Sequence, residues 1–273
     1  MGLLTALVHL VWGPLGLDPL RGFLRSYREH DAGAEHELIV LLNGLGLPGS
    51  PTREEILAEL DGVAHRPIET EAPVQDLAAY VHAAERLADH ETLCFVNSYA
   101  TVLADGWLGL FIRALSEPGV GLVGATGNWE SLAEWRRGLP WFWPVQLLSL
   151  PEARRDYPRF PNPHIRTSSF AIGRELLLSL DLPEVPDKPS AYRLESGIHG
   201  FTRQVQARGL RAVVVGRDGR SYEPPEWPAS RTFRSGREEN LLVADNQTSV
   251  YLTVAPWLRR RLRHDSWGRE GVE

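Results

Sequence analysis

The sequence has a single cysteine, Cys94, so no disulfide can form within the chain. Cys94 lies in the apolar run LCFV, where a free thiol behaves as a small buried hydrophobic side chain. Free, unpaired cysteines are typical of reducing compartments. The cysteine content therefore predicts a core thiol and argues against a disulfide-stabilised secreted fold.

Long hydrophobic runs are also absent. No stretch approaches the roughly 18 consecutive apolar residues that a membrane-spanning helix requires. The apolar N-terminus, MGLLTALVHLVWGPLGL, lacks the basic segment and the small-residue cleavage site of a signal peptide, so we interpret it as a first strand. We expect a soluble, cytoplasmic protein, with peripheral contact to the inner face of a membrane left open.

The chain has no excess of positive charge. Its 273 residues carry a formal net charge of -6, which argues against general nucleic-acid binding because phosphate recognition needs a concentrated basic face. A hydrophobic content of 43% is enough for one large domain with a substantial core. We predict a single domain over residues 1–273, in which residues 217–273 form a C-terminal extension packed on the rest.

Strand-like and helix-like periodicities alternate along the first two thirds of the chain. This alternation predicts an α/β fold with a mostly parallel sheet flanked by helices. The predicted strands cover residues 4–12, 36–44, 64–69, 93–96, 120–127 and 211–219, and residues 165–180 form a strand followed by a helix. The other predicted helices cover residues 18–30, 51–60, 73–90, 106–117 and 192–210.

The segment LCFVNSYATVLADGWL, residues 93–108, combines a buried strand, a short polar triplet and an amphipathic helix. The triplet is Asn97, Ser98 and Tyr99. Open α/β sheets bind their ligands beyond the carboxyl ends of the strands, which is where these residues fall. None of the three carries a carboxylate, and this limits the chemistry that the position can perform.

The order of these elements resembles that of family 2-type GT-A glycosyltransferases, over roughly residues 4 to 216. The resemblance rests on FVNSYATVLADGWLGLFIRAL followed by PGVGLVGATG, and on FPNPHIRTSSFAIGREL followed by the helix with Glu195. It implies a GT-A fold, as well as transfer of a sugar from a nucleotide-sugar donor to a glycan or lipid-linked acceptor, as in polysaccharide biosynthesis. The triplet 97–99 stands where this family carries its metal-binding Asp-x-Asp.

The neutral triplet offers Mn²⁺ or Mg²⁺ only a poor site, because hard cations prefer several, mostly charged, oxygen ligands. We therefore predict no conventional metal site; metal-independent transfer is compatible with this triplet, and poorly held Mn²⁺ or Mg²⁺ is the alternative. Positively charged side chains can instead stabilise the departing diphosphate. Arg166 is the first candidate, with Arg203, Arg217 and Arg231 as others; ion pairing elsewhere in the protein is the alternative for each.

The resemblance also implies donor-binding positions beside the triplet, at Trp12, Asn43 and Asp76. Trp12 would stack on a base, or else cap the core. Asn43 would offer its amide to a base or ribose. Asp76 would accept a hydrogen bond from a ribose hydroxyl or a uracil N–H, or else favour the first turn of its helix.

Glu195 matches the acidic residue that acts as general base in inverting members of the family. An inverting displacement needs a carboxylate that removes the proton of the acceptor hydroxyl. The sequence predicts that Glu195 lies at the head of a helix, with His199 on the same helical face. Two ligands do not make a metal site, and a helix-terminal Glu195 without chemistry is the alternative.

Aromatic residues are concentrated between Asn128 and Pro163, and we predict an acceptor-binding lid there. Trp129 and Glu130 open this stretch, and Trp135, Trp141, Phe142 and Trp143 continue it. The alternative is that the tryptophans close a small hydrophobic core. Thr167 and Ser168 would donate hydrogen bonds to sugar hydroxyls, or else serve as polar residues at a strand edge.

The C-terminal extension lies outside the resemblance. We expect residues 245–248 to dock back onto the sheet. The basic stretch 259–261, with Trp257, Leu258 and Leu262, either touches an anionic membrane surface or forms a solvated helix end. Because fold does not carry function with it, a non-catalytic GT-A-like protein that binds nucleotide, glycan or a protein partner is the rival interpretation.

Overall fold

The computed structural model describes residues 5–134, 150–183 and 187–270. The first half of the chain contains β1 (Thr5–Trp12), α1 (Asp18–Glu29), β2 (Glu37–Asn43), α2 (Arg53–Glu59), β3 (Arg66–Glu69), α3 (Asp76–Arg86), β4 (Thr92–Val96), β5 (Thr101–Val102), α4 (Trp107–Leu115), β6 (Val120–Gly124) and β7 (Gly127–Asn128). The second half contains α5 (Leu150–Asp156), β8 (His164–Ile165), β9 (Ser169–Gly173), α6 (Arg174–Leu178), α7 (Lys188–Ser196), α8 (Phe201–Ala207), β10 (Arg211–Val215), β11 (Ser221–Tyr222), β12 (Val243–Ala244), α9 (Asn246–Thr253) and α10 (Pro256–Trp267).

The central sheet has eight strands in the order β11-β10-β6-β9-β4-β1-β2-β3. Neighbours are parallel from β3 to β4 and again between β6 and β10, whereas β9 runs antiparallel to both β4 and β6. Because Val96 at the end of β4 pairs with Ser169 at the start of β9, the amino end of β9 shares an edge with the carboxyl ends of the parallel strands. We call this the carboxyl edge.

Both faces of the sheet are covered, which explains the near-continuous apolar runs of β1, β2 and β4. Tyr80, Phe95 and Phe170 pack together on one face, and Phe23 and Phe111 lie in the core on the other. The predicted mostly parallel sheet flanked by helices is therefore confirmed. Cys94 is fully buried within it, as its apolar neighbours predicted.

The helix predicted over residues 192–210 is wrong in one respect that matters for the site. It is two helices, since α7 ends at Ser196 and α8 begins at Phe201. A side chain on Gly197 or Gly200 would collide with backbone oxygens of Arg193 or Gly197, so the chain turns tightly between the helices. Glu195 consequently lies in the last turn of α7 and not at the head of a helix.

The C-terminal extension folds back onto the body of the protein through a two-stranded sheet that is separate from the central one. Strand β12 pairs with β5, directly after the polar triplet, and Asp245 begins α9. At the far end of α10, the buried Trp267 packs edge-on against Trp129 and Phe233. Within the described ranges, no helix is both long and apolar enough to cross a membrane.

Replacing Trp267 with alanine tests whether this extension belongs to the cooperative fold. Trp267→Ala removes a fully buried ring and the hydrogen bond from its Nε1 to the Phe233 carbonyl. We expect the free energy of unfolding to fall by about 3–5 kcal/mol in one denaturant transition. Trp257→Ala is the matched control, because Trp257 is 65% exposed and its loss should change stability by about 0.5 kcal/mol or less. A separate early transition in Trp267→Ala would instead mean that the extension unfolds independently.

Candidate functional site

The polar triplet and the start of β9 meet at the carboxyl edge. The Trp12 N–H at the end of β1 donates to Ser98 Oγ (3.1 Å), and the Asn97 N–H donates to the Ser168 carbonyl (2.9 Å). Three segments far apart in sequence are thus tied together where the strands end. This is the place where open α/β sheets bind ligands.

Within the triplet, most polar atoms form hydrogen bonds that stabilise the turn itself. Asn97 Oδ1 accepts from the Tyr99 N–H (3.1 Å), and the Asn97 carbonyl accepts from the Ala100 N–H (3.1 Å). Ser98 is buried, whereas Tyr99 is 41% exposed. Tyr99 is therefore the member of the triplet with the most surface open to a ligand.

Asn43 has a different role from the predicted one. It is fully buried, its Oδ1 accepts from Thr70 Oγ1 (3.0 Å) and the Val74 N–H (3.2 Å), and its Nδ2 donates to the Val74 carbonyl (2.8 Å). A ligand cannot reach this amide. Asn43 instead fixes the loop that leads into α3, at Val74, two residues before Asp76.

Trp12 is half-buried, and its ring packs on the backbone that follows β2. A side chain on Gly44, which has a φ of +75°, would lie 2.7 Å from the ring. The close approach requires glycine at this position. These contacts are those of the core-capping alternative for Trp12, with part of the ring left exposed.

Asp76 and Glu195 lie near enough for their charges to interact, although 118 residues separate them in the sequence. The Asp76 side chain reaches solvent, yet protein surrounds it. Partial loss of hydration raises the pKa of Asp76, and the nearby negative charge of Glu195 adds to this effect. Two carboxylates close enough to repel each other are a common feature of reactive sites.

Glu195 is held in place by Thr167, which lies just before β9. The Thr167 N–H (2.8 Å) and Thr167 Oγ1 (3.1 Å) both donate to Glu195 Oε1. No residue in the described part of the chain donates to Oε2. One oxygen is therefore anchored, and the other remains available to accept a proton.

His164 is a site residue that the sequence reasoning missed. It is buried near Glu195, and its Nδ1 donates to the Asn162 carbonyl (2.8 Å). Burial lowers the pKa of His164, although the charges of Glu195 and Glu130 oppose this, so the ring is neutral at pH 7. The signal was its place in the quoted motif PHIRTSS, two residues before Arg166. His199, in contrast, lies exposed between α7 and α8 and does not share a helical face with Glu195.

Arg166 is not open to a donor, contrary to the prediction. It is buried, and its Nη2 forms an ion pair with Asp245 Oδ2 (2.7 Å). The other candidate arginines also donate to protein groups: Arg203 to Asn162 Oδ1, Arg217 to the Leu241 carbonyl, and Arg231 to Glu239. Ion pairing within the protein, the alternative that the sequence left open, thus describes Arg166 and Arg231.

The predicted acceptor residues have separate roles. Trp129 is buried against Trp267, and its Nε1 donates to the Pro224 carbonyl (3.0 Å), so it closes a small core and offers no open stacking face. Glu130 accepts from Asn128 and lies 3.5 Å from Arg234 Nη1. Thr167 and Ser168 remain half-buried at the carboxyl edge. The predicted lid residues Trp135, Trp141, Phe142 and Trp143 lie outside the described residues.

No protein-family model and no curated protein sequence matches this chain. Solved structures do. One is mannosyltransferase PcManGT from Pyrobaculum calidifontis, in complex with GDP-Man and Mn²⁺, at 16% identity and a TM-score of 0.50, with 84% of this chain and 59% of that chain covered. Another is GalNAc-T7 with UDP, GalNAc and Mn²⁺, at 14% identity and a TM-score of 0.50, with 96% of this chain and 52% of that chain covered.

The fold is GT-A-like. This confirms the fold that the order of sequence elements predicted. The chain spans between half and three fifths of the length of these two glycosyltransferases. At such low identity the likeness concerns the fold and leaves substrates open.

The GT-A fold implies a divalent cation at the triplet, and the residues present do not fit one. No carboxylate lies in the triplet, and the Ser98 hydroxyl already accepts from the backbone. Across the described ranges, no group of three or more His, Cys, Asp or Glu side chains could hold a metal ion. The donor atoms thus provide no charged coordination sphere of the kind that Mn²⁺ or Mg²⁺ takes.

The raised pKa of Asp76 predicts a pH-dependent stability effect. A carboxyl group whose pKa is raised on folding lowers the free energy of unfolding once it is ionised. This loss of stability develops as the pH rises from the unfolded-state pKa to the folded-state pKa. We expect Asp76→Asn to raise Tm at pH 7 and to have little effect near pH 3. Thermal melts over this range measure the difference. A lower Tm at pH 7 would mean that the favourable charge at the start of α3 outweighs the repulsion by Glu195.

Proposed function

We propose that the chain is an inverting glycosyltransferase that uses a nucleotide-sugar donor without a bound metal ion, with Glu195 as its general base. The observation that carries the proposal is the anchored carboxylate: Thr167 fixes Glu195 Oε1 at the carboxyl edge of a GT-A-like sheet and leaves Oε2 open. That is the geometry which a general base needs, with one oxygen oriented and one free to take a proton.

In the proposed reaction, an acceptor hydroxyl lies between Glu195 Oε2 and the anomeric carbon of the donor. The hydroxyl oxygen forms a bond to that carbon while its proton passes to Glu195. The bond from the anomeric carbon to the diphosphate breaks, and its electron pair leaves with the phosphate oxygen. Attack from the face opposite the leaving group inverts the anomeric configuration.

The donor would lie along the carboxyl edge. Asp76 accepts a hydrogen bond from a ribose hydroxyl or a base N–H, and Tyr99 offers an exposed ring beside the triplet. The proteins of similar fold were solved with GDP-Man or UDP, which supports a nucleotide donor here. Arg203, beside the turn between α7 and α8, and Arg217 are the candidates left for stabilising the diphosphate charge, since both donate to uncharged groups.

A non-catalytic protein that binds nucleotide or glycan at the same edge is the second candidate. Two observations favour it: the triplet has no carboxylate, and the charge of Arg166 is already neutralised by Asp245. The acceptor in the catalytic case would be a glycan or a lipid-linked acceptor.

Donor turnover with and without a chelator tests these alternatives. The protein is incubated with UDP- and GDP-sugars, with Mn²⁺ or with EDTA, while donor affinity and hydrolysis or transfer are measured. We expect activity that survives EDTA. Glu195→Gln should lower kcat by about 100-fold or more and leave donor Kd nearly unchanged, because the amide cannot take the proton.

Glu54→Gln is the matched control, since Glu54 is exposed on α2. It should keep wild-type kcat. Full activity in Glu195→Gln would overturn the base assignment, and activity that requires Mn²⁺ would overturn the metal-independent mechanism. Binding without turnover of any donor would select the non-catalytic candidate.

We also propose that the corner between α9 and α10 touches an anionic membrane surface at the cytoplasmic face. Val250, Leu252 and Trp257 are exposed there, although they are large and apolar. Residues 246–270 hold five arginines and two acidic residues, whereas the whole chain has a net charge of -6. Exposed apolar side chains beside arginines match a surface of anionic lipids.

Vesicle sedimentation measures this contact. We expect binding to vesicles with 30% phosphatidylserine, because each arginine near an anionic membrane surface contributes about 1 kcal/mol to the binding free energy. Binding to pure phosphatidylcholine should be weak. Trp257→Ala should weaken the binding several-fold and leave stability unchanged. Equal binding of wild type and Trp257→Ala would show that the corner is an ordinary solvated surface.

A further inference from the structure

A buried ion pair connects the C-terminal extension to the segment that carries Thr167. The side chains of Arg166 and Asp245 are 8% and 2% exposed, and Arg166 Nη2 lies 2.7 Å from Asp245 Oδ2. We infer that Asp245 is a positioning residue: through Arg166 it holds the segment that orients Glu195. The inference rests on the proposed function of Glu195 as the base.

Each partner of this pair is itself held from several sides. The Arg166 guanidinium lies 4.3 Å from the centre of the Phe233 ring, and its Nη1 donates to Thr126 Oγ1 (3.3 Å). Asp245 Oδ1 accepts from the backbone N–H groups of Gln247 and Thr248 (both 2.9 Å) as the N-cap of α9. The pair therefore has little freedom to move.

The pair lies beside the residues that hold the site together. Arg166 is the neighbour of Thr167, which donates both hydrogen bonds to Glu195 Oε1. Ser168 follows Thr167, and its carbonyl accepts from the Asn97 N–H. A shift of Asp245 would consequently reach both the base and the triplet.

The charges around the pair favour an ionised Asp245. Burial opposes its ionisation, but Arg166, the Thr248 N–H and Ser168 hold the pKa of Asp245 below its ordinary value. Glu238 also lies near Asp245 and Arg166, and burial raises the pKa of Glu238 to about 8. Glu238 is therefore mostly protonated at pH 7 and does not compete with Asp245 for the positive charge of Arg166. Arg234 and the buried His164 are further titratable groups near Arg166.

Stability alone gives a weak reason for such a pair. Replacing a buried ion pair by uncharged residues is often neutral or stabilising, whereas removing one partner leaves a buried charge without compensation. A double replacement therefore distinguishes the two roles. If the pair is only structural, activity should recover together with stability; if it positions Glu195, stability should recover without activity. The double variant Arg166→Met/Asp245→Asn removes both charges and keeps an Asn at the N-cap of α9.

The experiment compares Asp245→Asn, Arg166→Met and the double variant by Tm, by kcat and donor KM, and by the pH profile of kcat. We expect each single variant to lose stability and activity. The double variant should recover most of the Tm but keep a kcat at least ~10-fold below wild type, with donor KM nearly unchanged and a shifted acidic limb of the pH profile. Recovery of kcat together with Tm would overturn the inference.

A second measurement does not depend on activity. Hydrogen exchange of the Thr167 amide reports its bond to Glu195, and we expect it to be at least ~10-fold faster in the double variant than in wild type. If wild type transfers no sugar, the proposed function fails, and unchanged Thr167 exchange would separately overturn the positioning role. If the double variant folds poorly, Arg166→Lys replaces it in the comparison, because lysine keeps the positive charge. Arg166→Lys should show an intermediate kcat and the same shift of the pH profile.

Glu37→Gln is the matched control for losing an ion pair. Glu37 Oε2 lies 2.9 Å from Arg66 Nη2 and 2.9 Å from His90 Nε2, at the amino end of β2 and away from the carboxyl edge. This variant should lower Tm without changing the pH profile of kcat or the exchange of the Thr167 amide.

Discussion

The site depends on one constraint in the sheet: β9 runs antiparallel between β4 and β6. Because of this direction, the chain enters β9 at the edge where the parallel strands end. Thr167 and Ser168 therefore arrive beside Asn97, and Thr167 meets Glu195 from α7. With a parallel strand in this place, the same residues would lie at the opposite edge of the sheet.

Charged and aromatic side chains that the sequence assigned to ligand binding instead contact other residues of the protein. Arg166, expected at a donor diphosphate, is neutralised by Asp245, and the buried tryptophans Trp129 and Trp267 pack on each other where a sugar-binding face was expected. Among the described residues, Asp76, Glu195, Tyr99 and part of Trp12 keep accessible surface at the carboxyl edge, and Thr167 and Ser168 lie half-buried beside them.

The apolar runs of β1, β2 and β4 made the strands predictable, because strands buried on both faces need apolar residues at nearly every position. The sequence also located the turn after β4. The break between α7 and α8 was not predicted, since the helical spacing of apolar residues continues across Gly197 and Gly200. Asn43 was placed correctly at the end of β2, but its burial depended on a partner loop that only folding brings near.

The sequence by itself determined the α/β architecture and the position of the polar triplet, because strand and helix periodicities are local properties of the chain. Only the tertiary structure decided which polar groups remain open to a ligand. Asn43, Arg166 and Trp129 are each engaged by residues at least 27 positions away, and such long-range pairing leaves no local signal in a single sequence. Glu195 remains the candidate general base because its long-range partner, Thr167, binds one carboxylate oxygen and leaves the other free.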